Sequence, residues 1–199
     1  RTARRNLSLA GYPQQEPRKI IAGVFLSLAS LLVTFARFPQ MNAANVGAWI
    51  RYEGFEHFQA ARAPGKGVLF ATAHFGNWEL SAFAHALMTE PLNIVVRPLD
   101  DPGINALVEH RRKLSGNRLI EKWDAARVIL RALHKGEAVG VLIDQNSSLS
   151  EGVFVDLFGV PACANARFAK LAAHSGAAVL PGFAVWSDAE QKYIHRFYK

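Results

Sequence analysis

An α/β domain, with a largely parallel sheet layered between helices, is what this sequence predicts. Three observations carry the α/β prediction. From Lys66 onward, short apolar runs alternate with helical stretches of about ten to fifteen residues, the rhythm of strand, crossover helix and next strand. Two of the runs, "GVLFATA" from Gly67 and "AVGVLID" from Ala138, are apolar with hardly a break, as strands covered on both faces are. The chain has 199 residues and is 50% hydrophobic, which suits a single domain over residues 1–199 with a substantial core better than two small ones.

Taken in order, the chain opens with "RTARRNLSLAGYPQQEPRK", a polar, basic stretch without the apolar centre or cleavage site of a secretory signal. Next comes "IIAGVFLSLASLLVTFA", Ile20 to Ala36, which carries no charge and is flanked by Arg18, Lys19 and Arg37. Its length sits at the lower limit for a spanning helix. Ser27, Ser30 and Thr34 soften it, so the expectation is a helix on or partly in a membrane interface, with its basic flanks at the headgroups. A wholly buried core helix would have the same length. Residues 1–50 are thus a basic start and a membrane-associating helix, and residues 66–199 the α/β core.

In that core "GVLFATA" reads as a strand, and a helix follows from about Asn77 to Met88. "LNIVVR" is a second strand, Gly103 to Leu114 a helix, "NRLIE" a short strand, and "WDAARVILRALHKG" a helix stopped by Gly136. "AVGVLID" is a further buried strand, "QNSSLSEG" a loop, and "VFVDLFG" an apolar run. A helix over Ala164 to His174 follows, then the strand "AAVLPGFAVW" and the terminal "KYIHRFY". The start at Arg1 rather than methionine, and the close on a strand that is cut off as it finishes, read as a fragment of a longer protein.

A net charge of +7 points to an anionic partner: nucleic acid, a membrane surface or an acidic protein. The aromatic residues lie in apolar runs rather than among lysines and arginines, and no nucleic-acid-binding signature occurs, so membrane or acidic protein is preferred and nucleic acid is not expected. The lone Cys163 rules out an internal disulfide framework and reads as a small buried residue.

The stretch that carries chemistry is "TAHFGNWEL". On an uninterrupted helix, His74 and Glu79 would point about 140° apart. They can meet if the helix begins between them: the strand delivers His74 to the carboxyl end of the sheet, Gly76 permits a tight turn, and Glu79 falls in the first helical turn. That edge is where α/β sheets keep their sites. A carboxylate there would fix one tautomer of the imidazole and leave the other ring nitrogen as a general base. An early Glu also serves as a plain helix cap, and the two readings stay open on the pairing alone. No GxSxG, P-loop, HExxH or CxxC occurs, and the other histidines are scattered, so neither a protein nucleophile nor a metal is expected. The nucleophile then belongs to the substrate.

"HFGNWEL", "VVRPLDDPGINALVEHRRKLSGNRLI" and "KGEAVGVLIDQNSSLSEGVFVDLFGVPACANARFAKLAAHSGAAVLPGFAV", with "ARRNLSLAGYP" near the start, resemble the bacterial lipid A biosynthesis (late) acyltransferases of the lauroyl and myristoyl transferase type. The short motif of His, four residues and an acid is shared with glycerolipid acyltransferases generally, and the later segments favour the lipid A branch. The resemblance implies acyl transfer from acyl carrier protein, or from coenzyme A, to a hydroxyl of a lipid A precursor at the cytoplasmic face of the bacterial inner membrane. No resident cofactor is implied. His74 would be the base and Glu79 its orienting partner. Arg97 matches a family arginine that would stabilise the oxyanion or hold an acceptor phosphate. Asp144 and Gln145 match a polar pair with a positioning role, Gly76 and Asn77 would shape the turn, and Trp78 would pack. "FVDLFGVPA" would lie close to the acyl channel. Arg112, within the cluster Arg111, Arg112, Lys113 and Arg118, would meet a polyanionic acceptor or carrier, although such clusters are by default solvated helix faces.

The alternatives are an acyltransferase acting on another lipid, such as a phosphatidylinositol mannoside, glycolipid or aminolipid, and a catalytically silent membrane-binding domain of the same fold. The intact His74, Glu79 and Arg97 argue against the silent domain.

Overall fold

The expected alternation closes into one sheet in a computed structural model of the chain, which describes residues 2–12, 17–121 and 125–199. Two helices come first, α1 (Thr2–Leu9) and α2 (Pro17–Ala36), followed by β1 (Ile50–Glu53) and α3 (Phe55–Arg62). The repeating part then runs β2 (Val68–Thr72), α4 (Trp78–Met88), β3 (Asn93–Val96), α5 (Pro102–Lys113), β4 (Arg118–Glu121), α6 (Ala125–His134) and β5 (Ala138–Leu142). A hairpin, β6 (Gly152–Leu157) and β7 (Val160–Asn165), precedes α7 (Ala166–Ser175), β8 (Ala178–Ser187) and β9 (Lys192–Phe197). Trp123 and Asp124, expected at the head of α6, lie outside the described residues.

The main sheet has seven strands in the order β1-β9-β8-β2-β5-β3-β4. Every neighbouring pair in it is parallel except β8 with β9, so the largely parallel sheet expected from the sequence is the one found. The central strand β2 explains its unbroken apolar run: Val68, Leu69, Phe70 and Ala71 are all buried, because helices cover both faces. The valine, leucine and phenylalanine side chains among them each contribute on the order of 1.5–3 kcal/mol when fully buried. The β6–β7 hairpin stands apart as its own two-stranded sheet.

Two findings extend the sequence reading toward the N-terminus. β1 pairs in parallel with β9, so residues 50–53 belong to the sheet although they precede Lys66. Phe38, in the short 3-10 turn after α2, stacks on Phe83 of α4 at 3.9 Å between ring centres and ties the N-terminal segment to the core. Helix α2 itself buries only Leu31 and Thr34, and leaves Val24, Phe25, Leu26, Leu28, Leu32 and Val33 exposed. The buried-core-helix alternative therefore does not describe it within these residues. It is also the one helix among the described residues long and apolar enough to cross a membrane.

Candidate active site

Parallel strands in register bring residues far apart in sequence to the same edge. β2 and β5 pair with Thr72 opposite Leu142, so the residues two positions beyond each strand, His74 and Asp144, emerge side by side at the carboxyl edge. Their side chains meet there. His74 Nδ1 lies 2.9 Å from Asp144 Oδ1, and the His74 backbone N–H donates to Asp144 Oδ2, also at 2.9 Å. An ionised carboxylate only accepts, so Nδ1 carries the proton and Nε2 is left with a free lone pair. Trp78 packs edge-on against the imidazole, with ring centres 5.1 Å apart, which agrees with the packing role expected for it.

Glu79 does fall in the first turn of α4, yet its carboxylate is engaged elsewhere. Arg112 of α5 donates to it twice, Nε to Oε2 at 3.0 Å and Nη2 to Oε1 at 2.5 Å. The two side chains are only 12% and 21% exposed for Glu79 and Arg112, so this is a largely desolvated bidentate pair. The pairing thus differs from the sequence expectation: the imidazole takes the carboxylate seventy residues away, and the nearer carboxylate takes an arginine.

The turn between His74 and α4 is fixed by its backbone. Gly76 sits at φ 64°, and any side chain there would overlap the Ala184 carbonyl of β8. The next residue, Asn77, donates its backbone N–H to that same carbonyl at 2.8 Å. Its side chain then caps α4 by accepting from the Leu80 N–H at 3.0 Å. Gly76 and Asn77 therefore shape the turn as expected.

Arg97 follows β3 at the same edge, and its guanidinium lies exposed, 3.3 Å from Asp100. The basic cluster expected to face a polyanion is largely committed internally. Arg111 donates to the Ala36 carbonyl at the end of α2, Arg112 to Glu79, Lys113 to Glu109, and Arg118 pairs with Glu137. Glu109 and Glu137 are held below the usual carboxylate range, chiefly by hydrogen bonds from Asn105 and Asn93 respectively.

A cleft of about 910 Å³ opens beside the histidine. His74 and Gln145 contribute to one side, and Val95, Ile129, Val141, Phe168 and Leu171 make an apolar wall. A smaller cavity of about 100 Å³ lies beneath the Glu79–Arg112 pair. His85 and His195, two of the scattered histidines, form its buried lining with Ser81. Burial pushes both imidazoles down to about 3, so they are neutral parts of the core. Cys163 is free and buried, as read.

The fold and the edge geometry define a class first: an α/β protein with a histidine–carboxylate pair at the carboxyl ends of parallel strands, beside an apolar-walled cleft. The chain belongs to the bacterial lipid A biosynthesis acyltransferase family, whose family model matches residues 1–198. It is 32% identical over 181 residues to the lipid A biosynthesis lauroyltransferase of Escherichia coli (strain K12), an alignment that covers 89% of this chain and 58% of that protein. It is 31% identical over 183 residues to the lipid A biosynthesis palmitoleoyltransferase of the same strain, covering 89% and 58%. A phosphatidylinositol mannoside acyltransferase of Mycolicibacterium smegmatis is 27% identical over 185 residues, covering 89% and 60%. The chain spans less than two thirds of the length of each of these relatives.

Proposed function

We propose that this chain is the acyl-transferring part of a membrane-associated enzyme that moves a fatty acyl group from an acyl carrier protein thioester to a hydroxyl of a lipid A precursor. The observation that carries the reading is the hydrogen-bonded His74–Asp144 pair beside the apolar-walled cleft, in a chain of this family. The apolar wall suits a hydrocarbon chain, and the histidine beside it suits the base. His74 Nε2 takes the proton of the acceptor hydroxyl as that oxygen attacks the thioester carbonyl, and Asp144 holds the ring and stabilises the imidazolium. Collapse of the tetrahedral intermediate expels the carrier thiolate, which recovers the proton from His74. No resident cofactor or metal takes part.

Glu79, first expected to orient the base, enters this scheme through Arg112, whose guanidinium it fixes against the turn. Arg97, exposed at the same edge, is assigned to an acceptor phosphate or the developing oxyanion, and Gln145 to positioning. Helix α2, apolar, exposed and flanked by cations, supports attachment to a membrane, and the cytoplasmic face of the bacterial inner membrane is part of the same proposal. The mycobacterial relative favours a second acceptor, a phosphatidylinositol mannoside.

The test is incubation with acyl carrier protein thioester and either a lipid A precursor or a phosphatidylinositol mannoside, read by mass spectrometry. The expected product is the lipid A precursor heavier by one acyl group, lost in His74→Ala. Product only on the mannoside selects the second acceptor, and no product on either lipid from folded protein rejects the reading.

A further inference from the structure

Beyond α2, a second apolar surface is uncovered. In the β6–β7 hairpin, Val153, Phe154, Val155, Leu157 and Phe158 are each between 44% and 69% exposed. Successive strand residues point to opposite faces, so Val153, Phe154 and Val155 make both faces of the ribbon apolar. A protein partner covers one face of a ribbon; a lipid medium surrounds both.

The tip carries its own signal. Leu157 pairs with Val160, which leaves Phe158 and Gly159 as a two-residue turn, with φ 55° and 75°. Such turns favour Asn-Gly, and a bulky aromatic in the left-handed region is an outlier that carries backbone strain. Between Gly152 and Asn165 the hairpin contains no Lys or Arg, and its one acid, Asp156, is occupied in accepting the Gly159 N–H at 3.0 Å. An acidic carrier protein finds no cation there. A cation lies at the base instead, where α7, packed on β6, presents an exposed Lys170, while the neighbouring Arg167 is paired with Glu151. An apolar tip, with its nearest exposed lysine set back at the base, suits a bilayer surface better than an acidic protein.

We propose that the β6–β7 hairpin inserts its tip into the lipid bilayer as a membrane contact separate from α2. The depth is interfacial. A two-stranded ribbon has two open edges of backbone N–H and C=O groups, which the headgroup region can satisfy and the hydrocarbon centre cannot. The hairpin hangs from the loop that follows Asp144, and Ser147, Glu151 and Arg167 at its base line the same cleft as His74. Insertion therefore turns the mouth of the cleft toward the lipid.

An environment-sensitive NBD label tests this without reference to acyl transfer. The label is placed on Phe158→Cys in a Cys163→Ala background, with Lys135→Cys as control at the opposite, amino edge of the sheet. On vesicles of phosphatidylethanolamine with phosphatidylglycerol, the label at 158 should brighten and shift to the blue, while that at 135 should not. Phe154→Asp with Phe158→Asp should lower vesicle partitioning roughly 10- to 100-fold, with α2 unaltered. Both side chains are exposed, so the thermal midpoint should hold; should that variant fail to fold, the two label positions decide alone. An unchanged label at 158 on vesicle-bound protein, an equal response at both positions, or no vesicle binding at all overturns the proposal. A protein that transfers no acyl group but still shows the label response keeps it, so the two readings fail separately.

Discussion

Replacing Asp144 by Asn separates the observed pairing from the one a local reading of the sequence favours. The side chain keeps its shape and one acceptor oxygen for His74, but the negative charge that would face an imidazolium in the proposed proton transfer is gone. Charge centres about 4 Å apart interact by about 4 kcal/mol at an effective dielectric near 20. The two side chains are 34% and 37% exposed for His74 and Asp144, so water screens part of this and about 2–3 kcal/mol is the figure to expect. In rate terms that is a loss of roughly 30- to 150-fold in kcat. KM for both substrates should hold, because the charge acts on the transition state. Glu79→Gln should behave differently: it strands the mostly buried Arg112, so it should cost about 2–4 kcal/mol of folding stability, with the smaller part of its effect on kcat. The assay is initial-rate acyl transfer at saturating donor, together with urea unfolding of each variant. If Asp144→Asn turned over at the parental rate while folded Glu79→Gln lost kcat a hundredfold, Glu79 would be the partner of the base in turnover and the reasoning from the resting geometry would fail.

Three further outcomes follow from the structure. Gly76→Ala forces a methyl group against the Ala184 carbonyl in a left-handed backbone, so it should cost more than about 2 kcal/mol or displace His74; a urea midpoint and activity equal to the parent would refute the turn geometry. His85 and His195 have folded values of about 3 against an unfolded value near 6.5, so their contribution is fully present above pH 6.5 and is lost as pH falls toward 3. Between pH 6 and 5 the unfolding free energy should therefore drop steeply, by approximately 1.4 kcal/mol per pH unit for each histidine once the unfolded chain is fully protonated. His195→Phe should about halve the slope measured by urea titration, and an unchanged slope would remove that histidine from the account. Leu28→Asp with Leu32→Asp in α2 should shift the protein from anionic vesicles toward solution in sedimentation while leaving the melting temperature alone, since both side chains are exposed.

What was legible in the sequence follows from how local each signal is. β2 and β5 could be read because central parallel strands are apolar on both faces, and α4 and α5 because Asn77 and Asp101 cap them with side-chain bonds to Leu80 and Ile104. β1 gave no such signal: "IRYE" buries Ile50 alone and owes its place to parallel pairing with β9, about 140 residues away. β7 was missed for a different reason. "VPACAN" holds a proline and small residues with low strand preference, and only the antiparallel pairing with β6 makes it a strand.

The site divides along the same line. His74, the Gly76 turn and the Asn77 cap are written within four residues of one another, and they stand where the sequence put them. The choice of carboxylate is not local. Sequence separation favours Glu79, five residues from His74; strand register favours Asp144, because Thr72 opposite Leu142 carries both chains two more residues to the same point above the sheet. One signal was available before the structure: "ATAH" and "LIDQ" each end a buried strand with a polar side chain two residues past its last paired position, so adjacency of the two strands would have implied the pair. Arg112 teaches the complementary point. Its place in a run of cations suggested a surface for polyanions, but a charge run describes a helix face only until another helix packs on it, and Glu79 on α4 turns Arg112 into an internal brace near the turn that carries His74.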